Sequence, residues 1–88
     1  MLYHYTIYDA ETTKRVEGRA AHFDRYTALL MATYAMHAQA TSWNFLNGTY
    51  GALETFTAPT TVEGLEDYLT ETGYTVQMRK LDIDPLQG

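Results

Sequence analysis

Hydrophobic and polar positions change period several times along the chain. In "LYHYTIY", residues 2–8, aromatic and branched residues follow one another as in a strand, and the polar "DAETTK" after it reads as a turn. "RVEGRAAHF" can fold back on that strand as a hairpin turning around Thr12. Asp24 is placed to cap a helix from Arg25 to about Ala40, "RYTALLMATYAMHAQA", dense in Ala, Leu and Met. "SWNFLNGTYGALETFT" then carries Asn47-Gly48 between apolar runs, which predicts a second hairpin because both residues tolerate positive φ. Trp43 and Phe45 precede that turn, Tyr50 follows it, and Pro59 closes the second strand.

"TTVEGLEDYLTETG", residues 60–73, predicts a helix near 61–72. Thr60 and Glu63 have the spacing of a capping box, and Gly73 is placed to end the helix in the left-handed conformation. Val62, Leu65, Tyr68 and Leu69 fall on one side of the wheel; Glu63, Glu66, Asp67 and Glu71 fall on the other. Finally "YTVQMRKLDI" alternates Tyr74, Val76 and Met78 against Thr75, Gln77 and Arg79, a strand with one face on a core, and residues 82–88 form a loose tail. The expected order is ββαββαβ. It implies one α+β domain over residues 1–88, a mainly antiparallel sheet of about five strands with two helices on one face.

The charge is distributed unevenly. The net charge is −5, and residues 26–78 contain neither Lys nor Arg. Glu54, Glu63, Glu66, Asp67 and Glu71 lie in that gap, while the acids and bases on either side of it balance. Tyr26 to Leu53 holds no charged residue, so the first helix is expected to be largely covered. The acidic helix face is then a source of negative potential with no basic residue on its own element.

Composition narrows the chemistry. A hydrophobic fraction of 45% suits a folded domain, and the absence of cysteine excludes a disulfide framework and a Cys-based zinc site. The N-terminal stretch does not read as a signal peptide, and no run is apolar enough to span a membrane, so a cytoplasmic location is expected. His4 and His22 can sit on adjacent strands, but no third ligand shares either element, so no metal is expected. His37 falls near the end of the first helix, where it favours the dipole. Ser42 has no nucleophile-elbow context, and the single glycines form no phosphate loop or dinucleotide fingerprint. No catalytic residue and no cofactor are expected. Direct nucleic-acid binding is disfavoured, because six basic residues in a chain of net charge −5 leave no counterion-release footprint, and the one local cluster, Lys14, Arg15 and Arg19, is balanced by Glu11 and Glu17.

Two readings of the acidic face remain. Like-charge neighbours at i,i+4 cost roughly 0.2–0.5 kcal/mol each in an isolated helix, which a solvated face tolerates. Alternatively the face meets a basic partner surface, as the gap in Lys and Arg suggests. The eight tyrosines likewise suit either strand cores or a recognition surface, with Tyr3 and Tyr5 on one face of the first strand and Tyr8 on the other.

A chain this short, acidic, cysteine-free and rich in Tyr and Thr resembles the small phage-encoded inhibitors, anti-CRISPR proteins among them. The stretch "YTIYDAETTKRVEGRAAHFDRYTALLMATYA", a hairpin running into an Ala-rich helix, is similar to openings common in small phage proteins. The resemblance covers size, charge balance and element order, not a motif, and no functional residue is carried over from it. It implies a non-enzymatic binder in the host cytoplasm that blocks a nucleic-acid-handling complex. The candidate contact residues are Glu54, Glu63, Glu66, Asp67 and Glu71, with Trp43 and Tyr50. The alternative is a small accessory domain that homodimerises through its aromatic, uncharged surface.

Overall fold

In the computed structural model, which describes residues 1–46 and 57–82, the elements run β1 (Leu2–Asp9), β2 (Val16–His22), α1 (Arg25–Leu46), α2 (Val62–Glu71) and β3 (Tyr74–Leu81). The class is α+β. The strands make one antiparallel sheet in the order β2-β1-β3.

The first hairpin follows from Asp9. Its Oδ1 accepts from the N–H of Glu11 at 2.8 Å and of Thr12 at 3.3 Å, an Asx turn that reverses the chain. The Asp9 carbonyl accepts from Thr13 N–H at 2.8 Å, and Thr13 takes the positive φ of 53° that the turn needs. The β1–β2 register slips between Ile7 and Tyr8, so Glu17 is the extra residue of a bulge.

Both helices cover one face of the sheet. Tyr5 and Ile7 are buried there with Leu29, Leu65 and Leu69, and Ala20, Val76 and Met78 pack around them. The alternation expected for β3 is present, as is the separation of Tyr3 and Tyr5 from Tyr8. α1 approaches β2 at backbone distance: a Cβ on Gly18 would stand 2.5 Å from the Ala32 carbonyl oxygen and 2.7 Å from Met36 N. Small residues at that crossing are therefore a geometric requirement. The buried Thr33 hydroxyl donates to the Leu29 carbonyl at 2.8 Å, so it leaves no polar atom unsatisfied.

The helix ends show where local signals worked. Asp24 caps α1: its Oδ2 accepts from the Thr27 hydroxyl at 2.6 Å and Thr27 N–H at 2.9 Å. Those two bonds hold its carboxyl below the ordinary range, the hydroxyl bond most. Gly73 follows α2 with φ +94°, as its position implies. The N-terminus of α2 lies one residue later than the capping-box reading: Thr61, not Thr60, is the cap, and its hydroxyl accepts from Gly64 N–H at 3.0 Å. Glu63 thus sits in the first turn, where it meets the helix dipole without reaching back to the cap.

The expected ββαββαβ order is corrected to ββααβ among the described residues, with three strands instead of about five. α1 does not stop near Ala40. It continues to Leu46 and takes in Trp43 and Phe45, which the sequence reading placed in a strand. The reason is cooperative: extending an existing helix costs far less than nucleating one, and no Gly or Pro interrupts the sequence between Arg25 and Leu46. The Asn47-Gly48 turn, Tyr50, Glu54 and residues 83–88 of the tail lie outside the described residues.

Candidate partner-binding face

α2 turns its apolar stripe inward, with Leu65 and Leu69 fully buried, each contributing roughly 1.5–3 kcal/mol. That rotation sends Glu63, Asp67 and Glu71 into solvent and leaves Glu66 half-buried. From Glu63 to Glu71 the row extends ~12 Å along the helix.

The acidic face has no base on its own element, but one of its four carboxylates finds a partner on another. Arg25, the first residue of α1, reaches across to Glu66, with a guanidinium nitrogen 3.6 Å from Oε1. Its Nε also donates to the Tyr5 hydroxyl at 2.7 Å. One guanidinium thus joins β1, α1 and α2, and the Tyr5 bond together with Glu66 and Glu63 raises its pKa. The ion pair is nearly half exposed on both sides, so it stabilises by about 1 kcal/mol at most. Among the described residues Glu63, Asp67 and Glu71 make no ion pair. In sequence Arg25 and Glu66 stand 41 positions apart, and no local pattern marks such a contact.

The histidines are also redistributed. Tyr3 stands opposite His22 and Ala21 opposite His4, so the two imidazoles lie on adjacent strands but on opposite faces. His22 Nδ1 accepts from Asp24 N–H at 2.9 Å and so helps shape the entry to α1. His37 is not at a helix end, because α1 runs on to Leu46. Its Nε2 lies 3.0 Å from the Tyr68 hydroxyl, a contact between α1 and α2. Burial lowers the His37 pKa and raises that of Tyr68. Among the described residues no cluster of three His, Asp or Glu can hold a metal.

α1 is less covered than its lack of charge implied. Ala28, Leu29, Ala32 and Met36 are buried, but Met31 is 46% and Tyr34 44% exposed, with Ala35 and Ala38 beside them. Trp43 lies further along the same helix. A depression of about 310 Å³ opens between the first hairpin turn and the end of α2, lined by Asp9, Glu11, Thr72, Gly73 and Tyr74 with Ala10. The Asp9 carboxylate in it is already committed to the turn.

No family model, no curated protein and no solved structure matches this chain. No helix among the described residues is long and apolar enough to cross a membrane.

Proposed function

We propose that this protein is a non-enzymatic binder of the phage-inhibitor, anti-CRISPR-like kind, whose acidic α2 face occupies a basic nucleic-acid-binding surface of a host complex. The observation that carries the reading is the exposed row of Glu63, Asp67 and Glu71, none of them ion-paired among the described residues, inside a chain segment without Lys or Arg. Such a face presents the charge pattern of a phosphate row to a basic groove, and charge complementarity of this kind acts mainly on the rate of encounter. Arg25 holds Glu66 in place beside the row.

The test is capture from a bacterial lysate on the immobilised protein, with elution by salt and by added DNA. The expected catch is a nucleic-acid-binding complex that DNA displaces and that an Asp67→Lys, Glu71→Lys double variant no longer retains. Retention of the same proteins by that variant would show that the face is merely solvated.

A second reading, a homodimeric accessory domain, has its own observation: the exposed, uncharged Met31 and Tyr34 on α1. It requires a sedimenting mass near twice the 10.0 kDa of the chain at micromolar concentration, reduced towards one chain by Met31→Glu. A monomer throughout that range removes it.

A further inference from the structure

Net charge and the absence of Lys and Arg from residues 26–78 speak against direct nucleic-acid contact. The sheet register redistributes the remaining bases. β2 precedes the gap and β3 follows it, and both pair with β1. Bases from the two sides of the gap therefore come to one surface, the face of the sheet turned away from the helices.

On that face His4 stands opposite Arg79, and Thr6 stands between Arg19 on one side and Gln77 on the other. Tyr8 follows next along β1. Arg19, Gln77 and Arg79 are exposed, and His4 and Tyr8 partly so. Apart from the bulge, no strand position on this face carries Asp or Glu, although the chain has 11 acids against 6 Lys and Arg. The bulge residue Glu17 is paired with Arg15 at 2.9 Å. The exposed acids of α2 lie on the outer side of the helix layer, opposite Leu65 and Leu69, and so face away from this surface.

The geometry points to this face as a binding platform for single-stranded nucleic acid. Arg19 and Arg79 supply charge for phosphates, on the two strands that flank β1. His4 and Tyr8 lie ~13 Å apart along β1, so each offers a ring to a separate base. Gln77 presents an amide whose donors and acceptor suit base edges. Guanidiniums on the outer strands with rings spaced along the strand between them suit a phosphate backbone with bases stacked beside it, which is why nucleic acid is the occupant proposed. The proposal does not depend on the acidic face having a partner.

The experiment is fluorescence anisotropy of a labelled oligothymidylate of ~15 nucleotides, titrated with the full chain at about 50 and about 200 mM salt. Two phosphate contacts give a slope of log K against log salt of about −1.4 for a single strand. Arg19→Ala with Arg79→Ala should weaken binding about tenfold or more at the lower salt, and Tyr8→Ala about fivefold or more. Both arginines are exposed, and circular dichroism of each variant checks that it folds. Asp67→Lys with Glu71→Lys should not weaken it, which keeps this test separate from that of the α2 face. Absence of binding at about 50 mM salt overturns the proposal. So does binding that Tyr8→Ala leaves unchanged while polyglutamate competes as well as the oligonucleotide, since that marks an acidic-peptide surface.

Discussion

α2 buries two leucines and exposes three of its four carboxylates within 10 residues. α1 runs for 22 residues, carries no charge after Arg25, and still leaves Met31 and Tyr34 nearly half exposed. The two helices lie on the same face of the same sheet, so the difference separates two ways of orienting a helix. In α2 the contrast between Leu65 and Leu69 and the acidic row admits one rotation. In α1 that contrast is weak, and shape sets the rotation: Ala28 and Ala32 face inward, and Gly18 of β2 lets the helix backbone come within contact of the strand. The first mode is sensitive to lost apolar volume, the second to added volume.

Leu69→Ala should have the largest effect, about 2–5 kcal/mol of stability by urea unfolding, because Leu69 is fully buried. Next comes Gly18→Val. Its Cβ would collide with the backbone of α1, and a loss of about 1–3 kcal/mol is expected without any change of polarity. Gly64→Ala sharpens the contrast. There the added Cβ meets Pro59 Cβ at 2.9 Å and the Thr61 hydroxyl at 3.0 Å, but alanine regains about 1 kcal/mol of helix propensity. Its net effect should be much smaller than at Gly18. If the two glycines respond alike, shape does not set α1 apart.

Removing the α2 cap should also cost less than filling the Gly18 crossing. Thr61→Ala should lower stability by about 1 kcal/mol, whereas Thr60→Ala should stay within about 0.5 kcal/mol. The smallest effect concerns the seam between the helices. Burial depresses the His37 pKa below its ordinary 6.5. The unfolded chain therefore takes up protons first as the pH falls, so the contribution is complete above 6.5 and declines as pH drops from there towards the lower folded value. Tyr68, which faces His37 from α2, stays neutral throughout that range, its pKa being raised by burial. The unfolding midpoint should fall on acidification through that window, and His37→Gln should flatten the part of the slope that His37 supplies. An unchanged slope would mean that the His37–Tyr68 contact does not respond to protonation.

Much of the fold was legible because its signals are local. A run of aromatic and branched residues marked β1, hairpin pairing after a polar turn marked β2 and alternation marked β3, each to within a residue or two; Asp24 marked the start of α1, and the periodicity of residues 62–71 and Gly73 defined α2 and its end. The acidic row was legible for the same reason: a helix wheel needs nothing beyond its own residues. The strand expected at Trp43 and Phe45 failed because aromatic β-propensity is weak against continuation of a helix already formed. The cap was misplaced by one residue because Thr60 and Thr61 offer the same hydroxyl, and only the backbone at Thr61, with φ −131° and ψ 159°, decides between them.

Composition and period set which residues of each element are apolar and which are charged, and for β3 and α2 they also set the face turned to the core. The rotation of α1 and the choice of which faces meet came from packing. Arg25 with Tyr5 and Glu66, and His37 with Tyr68, join residues far apart in the chain. The gathering of Arg19 and Arg79 on either side of β1 depends on strand order. Period and propensity act over a few residues, whereas register and packing choose among long-range pairings whose energies no single segment contains.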